Sequence, residues 1–291
     1  MADSNGMADL RAENVERAVK GFALQEYRFK QLLMTNNSNS WQESYFQETA
    51  ADLVAGGNRN VKGIPRGAKF PYGEVSWTKK SSFLAKYGME GVIFWEDEKT
   101  NNVDVIARTL LRIARAVTKR VDEEIWNVLS EDQSPSLINT LAIAAGDEWD
   151  SATLANRDPI QNILDAKTTI DVDNYDIDNG RGFLAVSPYD LAKLLGNANV
   201  RNAGQFYTDN VTRNGVVGKM LGLTIIKSNN VTADFAMVGI AKECGTWKAA
   251  QPLTVVTIDD PGIKKTIRAF ELGVTQLINP EAICLITNTQ A

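Results

Sequence analysis

The chain contains no histidine, two cysteines and 36 carboxylate side chains. Missing histidine removes His-based triads, His general bases and His metal ligands. Neither Cys244 nor Cys284 has an imidazole to activate it, and both stand in strand-like surroundings, so they read as buried structural thiols. Asp171, Asp173, Asn174, Asp176, Asp178 and Asn179 form a dense oxygen cluster resembling a calcium loop. Its glycine, Gly180, comes one place late for a start at Asn174, and no glutamate closes the loop, so a solvated acidic turn is expected. No Walker motif and no Gly-x-Ser-x-Gly elbow is present. No catalytic, cofactor or metal residue is therefore singled out. Carboxylate chemistry within residues 157–250 stays open, because any of the acids could pair in space.

The charges that do stand out are basic. Residues 56–82 hold Arg59, Lys62, Arg66, Lys69, Lys79 and Lys80 against Glu74 alone, among Gly56, Gly57, Gly63, Pro65, Gly67, Pro71 and Gly73. The ends, Val61–Ile64 and Val75–Thr78, could be strands. A long basic hairpin leaving the body of the protein is expected, and a loop of this length is either functional or a flexible surface segment. The second basic feature is a stripe, Arg108, Arg112, Arg115 and Lys119. It runs opposite Val103, Ile106, Leu110, Ile113, Val117, Val121, Ile125 and Val128 on a helix expected over 103–130. At 1.5 Å per residue that helix is about 42 Å long, enough to cross a domain. The stripe could be a solvated face, or could meet phosphate or the carboxylates of a neighbour.

The elements that must position these groups follow from periodicity. Residues 8–34 show helical spacing through Val15, Val19, Phe22, Phe29 and Leu33. Ser40-Trp41-Gln42-Glu43 has the capping-box pattern and predicts a second short helix ending at Gly56-Gly57. Asp158-Pro159 starts a helix through Ile160, Ile163 and Leu164. Gly182–Val186 is a buried strand, and Ser187-Pro188 turns at once into a helix with Leu191, Leu194 and Leu195. Residues 199–219 read as a loop. Strands follow at Leu223–Ile226, Phe235–Ile240, Leu253–Ile258, Thr266–Leu277 and Ala282–Ile286. The class is α+β. Net charge is −5 and pI about 5.1, so no global basic field points to nucleic acid. No apolar run approaches a membrane span, and a soluble, cytosolic product is expected.

The order of these parts resembles the major capsid proteins of tailed bacteriophages, with the Hong Kong 97-type coat fold. The resemblance runs over residues 8–290. It rests on the helical start, the basic Gly/Pro-rich hairpin, Val92-Ile93-Phe94-Trp95-Glu96-Asp97, the long helix, Gly182–Pro188, and Met220-Leu221-Gly222-Leu223-Thr224-Ile225-Ile226-Lys227-Ser228. By segment it implies an N-terminal arm over 1–55 and an extended loop over 56–82. A peripheral domain over 83–156 holds the spine helix 103–130. An axial domain covers 157–250, and 251–291 returns strands to the peripheral domain.

The resemblance further implies a subunit that self-assembles as hexamers and pentamers into an icosahedral shell around double-stranded DNA, assembled in the host cytoplasm and found in the virion. Arg59, Lys62, Arg66 and Lys69 become candidates for subunit interfaces. Arg108, Arg112, Arg115 and Lys119 become candidates for facing DNA through non-specific phosphate attraction. The short arm implies a separate scaffolding protein rather than removal of a large leading segment. A portal and a decoration protein are the other expected partners. Lys62 and Lys69 lie on the loop, but no asparagine or acid matches the family's crosslinking set, and crosslinking is not implied. The same fold also serves encapsulin-type compartments that hold protein cargo, which is the alternative function.

Overall fold

The structure is a computed structural model that describes residues 15–20, 27–47, 64–69, 78–100, 103–198, 200 and 218–291. Its longest helix, α2, runs over Val103–Leu129, following the short helix α1 at Trp95–Lys99. Ile106, Leu110, Ile113, Ala114, Val117, Val121 and Ile125 are buried, while Arg108, Arg112, Arg115 and Lys119 are exposed. The two faces thus separate as the 100° period requires. Val128 is only half-buried; Trp126 and Leu129 take the buried places at that end. The helix stops where the Ser130 hydroxyl folds back onto the Trp126 carbonyl, 2.8 Å away.

The chain divides into two compact units. The first takes residues 1–43, 82–125 and 247–275. It holds a four-stranded sheet of β1 (Met34–Asn37), β10 (Gly245–Asp260), β11 (Lys264–Leu277) and β4 (Ala85–Phe94), in that order. β4 and β11 are antiparallel, from Phe94 opposite Lys264 to Ala85 opposite Gly273. Alternation sorts their faces: Tyr87, Ile93, Ile267, Ala269 and Glu271 are buried, and Lys86, Glu90, Val92, Phe94 and Arg268 are exposed. Gly91 lets the helix seat closely, since a Cβ there would lie 2.5 Å from the Ile113 methyl and 2.9 Å from that of Thr109.

The second unit takes residues 44–81, 126–246 and 276–291. Its six-stranded sheet has the order β5 (Asn139–Ala142), β12 (Ile283–Thr287), β9 (Phe235–Ile240), β6 (Gly182–Val186), β8 (Leu223–Lys227) and β7 (Lys219–Met220). β6 is wholly buried, with parallel β8 on one side and antiparallel β9 on the other. Such a strand reads as an unbroken apolar run because neither face meets water. Helices α3 (Pro159–Val172) and α4 (Pro188–Gly196) start as their sequences predict. Asp158 accepts the Gln161 amide at 3.2 Å and Ser187 accepts the Asp190 amide at 3.0 Å. Their apolar sides join Ile163, Ile170, Leu191 and Leu194 to Leu184, Val186, Val238 and Ile286 in one core.

Three expectations from the sequence are corrected. The helix expected over 8–34 is helical at 15–20, but Lys30–Leu32 is a single 3-10 turn and Met34–Asn37 is strand β1. The amides of Arg28 and Lys30 donate to the Asp122 carboxylate of α2, so they are not available for helical bonds. The capping-box segment leads into a strand, β2 (Gln42–Gln47), paired with β3 (Thr78–Phe83). There Glu43 accepts from Ser38 and the Ser40 amide turns to Ser38 Oγ, so the reciprocal cap never forms. Finally, β5 and β12 belong to the six-stranded sheet rather than to the unit holding β10 and β11. Buried residues dominate β12 because it lies between β5 and β9, which fixes its place. The later strands otherwise appear where the alternation predicted them, with Leu253–Ile258 as part of the longer β10.

Candidate assembly and nucleic-acid surfaces

Two surfaces carry the features singled out from sequence, and a set of exposed apolar side chains joins them. The first is the stripe on α2. Arg108 and Lys119 are eleven residues apart, so the four charges extend over about 16 Å of the helix axis. Arg120 follows and is held by Glu123 at 3.0 Å and Glu124 at 4.0 Å. Guanidinium groups stay charged at any physiological pH and present forked donors that match phosphate oxygens. The arrangement can attract a polyanion without reading its sequence.

The second surface is the basic loop. Arg66 and Lys69 sit on a tight turn in which the Ala68 amide donates to the Pro65 carbonyl at 3.0 Å, and Gly67 takes a φ of +84°. Both side chains are exposed. Arg59 and Lys62 lie outside the described residues, as do Val61 and Val75 of the expected strands and most of the expected loop at 199–219. Lys79 and Lys80 fall on β3, at the loop's base.

The exposed apolar set was not found from sequence. Trp41, Phe46 and Phe83 are 65%, 58% and 62% exposed, and Phe94, Trp95 and Ile263 are 55%, 42% and 57% exposed. Large apolar side chains left in water mark contacts with other molecules where they form a continuous patch. Phe46 on β2, Phe83 on β3 and Phe94 on β4 occupy exposed strand positions. An alternation reading could have found Phe46 had the capping-box pattern not suggested helix.

Two buried carboxylates fix the segment 27–30 within the first unit. The Tyr27 hydroxyl donates to Glu271 at 2.6 Å, and Lys30 pairs with the same carboxylate while lying 5.2 Å above the Trp247 ring. Asp122 accepts the Arg28 amide at 2.6 Å. Burial pushes the Asp122 carboxyl up to about 6, with the backbone amides opposing. Because the folded value is raised, its contribution to stability is fully present below the unfolded value and is lost as pH rises through about 6. Wild type is therefore expected to gain melting temperature over Asp122→Asn as pH falls from 7 to 4. In free energy the difference is on the order of 3 kcal/mol at most. Parallel melting curves for the two proteins across that range would show that Asp122 does not titrate there.

The remaining chemistry is structural in the geometry observed. Cys244 and Cys284 are buried and free, and burial pushes both thiols up to about 12, which leaves them unreactive. In the acidic turn, Lys167 pairs with Asp178 at 2.6 Å, Asp176 accepts the Asp178 amide at 3.1 Å, and Asn179 accepts the Arg181 amide at 2.9 Å. These are turn-forming bonds. Among the described residues no group of acids or cysteines is placed to hold a metal ion. Asp190, whose carboxyl burial holds above the usual range, is shared by Ser187, Thr289 and Gln290. No helix among the described residues is long and apolar enough to cross a membrane.

Solved structures with this fold come from viral shells and related particles. A virus-like particle from Pyrococcus furiosus superposes with a TM-score of 0.62 at 13% identity, covering 94% of this chain and 98% of that one. The capsid structure of the cyanophage P-SCSP1u gives 0.64 at 13% identity, over 90% and 88%. Mycobacterium phage Che8 gives 0.60 at 16% identity, over 90% and 92%. The architecture is thus the Hong Kong 97-type α+β fold. No curated protein sequence matches the chain. A family model described as phage capsid protein matches residues 78–286, from the base of the basic loop to the last strand. That span is more than two thirds of the chain, and it places the protein in the phage capsid protein family, as a major capsid protein of the icosahedral shell.

Proposed function

We propose that the chain is the coat subunit that assembles as hexamers and pentamers around double-stranded DNA, with the 56–82 loop as a clamp on neighbouring subunits and the α2 stripe facing the genome. The observation that carries the DNA-facing role is the separation of faces on α2: four cations exposed along one side, an apolar core along the other. The overall charge of −5 does not oppose it, because a packaged genome is confined by the shell rather than held by affinity. In this reading the 1–55 segment is the N-terminal arm. A separate scaffolding protein, a portal and a decoration protein complete the particle, which assembles in the host cytoplasm. The chain acts by building the shell and catalyses nothing.

Changing Arg108, Arg112 and Arg115 together with Lys119 to glutamine tests the stripe. Glutamine removes the charge and nearly keeps the helix propensity. Empty shells are expected to form normally, while filled particles lose genome content or heat stability. Failure of assembly itself, with strong salt dependence in wild type, would move the stripe to a protein interface. Variant shells that assemble, fill and withstand heat like wild type would leave it a solvated face. The likeness to the archaeal virus-like particle supports a second reading, a compartment shell. Purified particles containing a protein cargo and no DNA would favour it.

A further inference from the structure

Asn179 and Gly180 lie in the turn that leads from α3 into β6. Asn179 is exposed, and its side-chain Oδ1 accepts the Arg181 amide at 2.9 Å. Gly180 takes a φ of +84°, and a Cβ built on it would meet nothing within 4 Å. The glycine answers the positive φ and leaves its own nitrogen flanked by no side chain, with open space beside it. An asparagine amide carbon next to such a nitrogen is the arrangement in which a backbone can attack its own side chain. The Arg181 amide favours that attack, because it is aimed at the oxygen on which negative charge develops when Cγ becomes tetrahedral. The chain's other Asn-Gly pairs, Asn5-Gly6 and Asn214-Gly215, lie outside the described residues.

Both ends of this turn are fixed. Asp178 pairs with Lys167 at 2.6 Å, and the Lys167 ammonium also donates to the Leu221 carbonyl at 3.0 Å. The Arg181 carbonyl accepts the Ala241 amide at 3.0 Å, and the Arg181 guanidinium pairs with Glu243 at 2.7 Å. One residue further on, Gly182 has no slack: a Cβ there would lie 2.6 Å from a Leu223 methyl and 2.9 Å from the Ile177 carbonyl oxygen. A covalent change at position 179 thus falls between two anchors, at the entrance to the wholly buried β6.

We infer that Asn179 is a site of spontaneous deamidation in the folded subunit, with water as the only co-reactant. The Gly180 nitrogen gives its proton to solvent base and bonds to Asn179 Cγ. The tetrahedral carbon then expels its amide nitrogen, protonated by water, as ammonia and closes a five-membered succinimide. Water adds to one of the two ring carbonyls and breaks its bond to the nitrogen. Opening at Cγ gives aspartate. Opening at the main-chain carbonyl gives isoaspartate, whose backbone runs through Cβ and Cγ. One water enters and one ammonia leaves, with nothing oxidised or reduced. Either product adds a negative charge to a turn that already holds Asp176 and Asp178. Isoaspartate also lengthens the backbone between the Asp178 and Arg181 anchors by one atom and takes Oδ1 away from the Arg181 amide. The change accumulates with the age of each copy and needs no partner, so it stands apart from the shell reading.

Isotope uptake tests it. Intact wild-type protein is incubated in mildly alkaline buffer made with heavy-oxygen water, then digested in ordinary water. Only deamidation during the native incubation takes up the heavy oxygen. Trypsin releases residues 168–181, which contain Asn174 followed by Tyr175 as well as Asn179 followed by Gly180, so one peptide carries its own control. Label is expected at position 179, as aspartate and isoaspartate, at a rate that rises with pH. It should appear there at least about tenfold faster than at Asn174, where the tyrosine side chain crowds the attacking nitrogen. The open space beside Gly180 admits a methyl group, at a strain in φ. Gly180→Ala is therefore expected to slow labelling at 179 about tenfold, the effect of a barrier raised by about 1.4 kcal/mol. If that variant does not fold, the wild-type time course decides alone. Position 179 unlabelled in the native protein but labelled in the urea-unfolded chain would show that the turn protects it, and would overturn the inference. Equal rates at Asn174 and Asn179, or a folded Gly180→Ala variant labelled as fast as wild type, would overturn it too.

Discussion

Replacing Val117 by aspartate is expected to abolish folding. Val117 is 2% exposed and sits midway along the apolar side of α2, with Ile113, Ala114 and Val121 one turn away on the same buried side. A carboxylate placed there has no donor provided for it. The same helix shows what a buried acid needs: Asp122, five residues further on, survives because the amides of Arg28 and Lys30 donate to it. Without such donors the burial costs several kcal/mol, a large share of the 5–15 kcal/mol that separates typical folded and unfolded states. The variant should collect in the insoluble fraction. A soluble variant with the wild-type melting temperature would mean that this side of the helix is not packed.

Deleting Gly57–Lys80 and closing the gap with a short linker is expected to leave a soluble, folded chain that builds no shells. Among the described residues, none of 57–80 is a buried apolar side chain of either unit's core; those run from Val15 to Leu33 and then from Leu84 onward. Arg66 and Lys69 are exposed, and the turn that carries them is closed by its own backbone bond. What the deletion removes is the basic Gly/Pro-rich segment and the first half of β3, Thr78–Lys80. Circular dichroism and melting temperature should stay near wild type, and sedimentation should show only small species. Normal shells in electron micrographs would show that the loop clamps nothing.

Much of the fold could be read from residue patterns, and the misses have physical causes. Long elements were legible because many residues repeat one signal. Helix α2 shows eight apolar positions stepping by three and four, and β6 is an unbroken apolar run. Short elements were not, because a local signal of four residues is easily outvoted. Ser40 to Glu43 carry a capping box, yet strand pairing with β3 and the Ser38–Glu43 bond decide the conformation. The arm shows the same competition over a greater distance: Val15, Val19 and Phe29 keep helical spacing, but Asp122, 92 and 94 residues away along the chain, takes the amides that a helix at 28–30 would use.

The candidate surfaces divide in the same way. By itself the sequence determined that the cations of α2 lie opposite its core and that the cysteines are not reactive. Each follows from residue type and spacing within one segment, where the backbone period alone sets the geometry. Only the tertiary structure decided that β12 joins β5 and β9, that Asp122 and Glu271 hold the segment 27–30, and that β10 outruns its neighbour β1. These depend on which segments meet across 90 to 240 residues of chain, and no period within a segment encodes that. Side-chain packing selects the meeting from many that the local patterns allow.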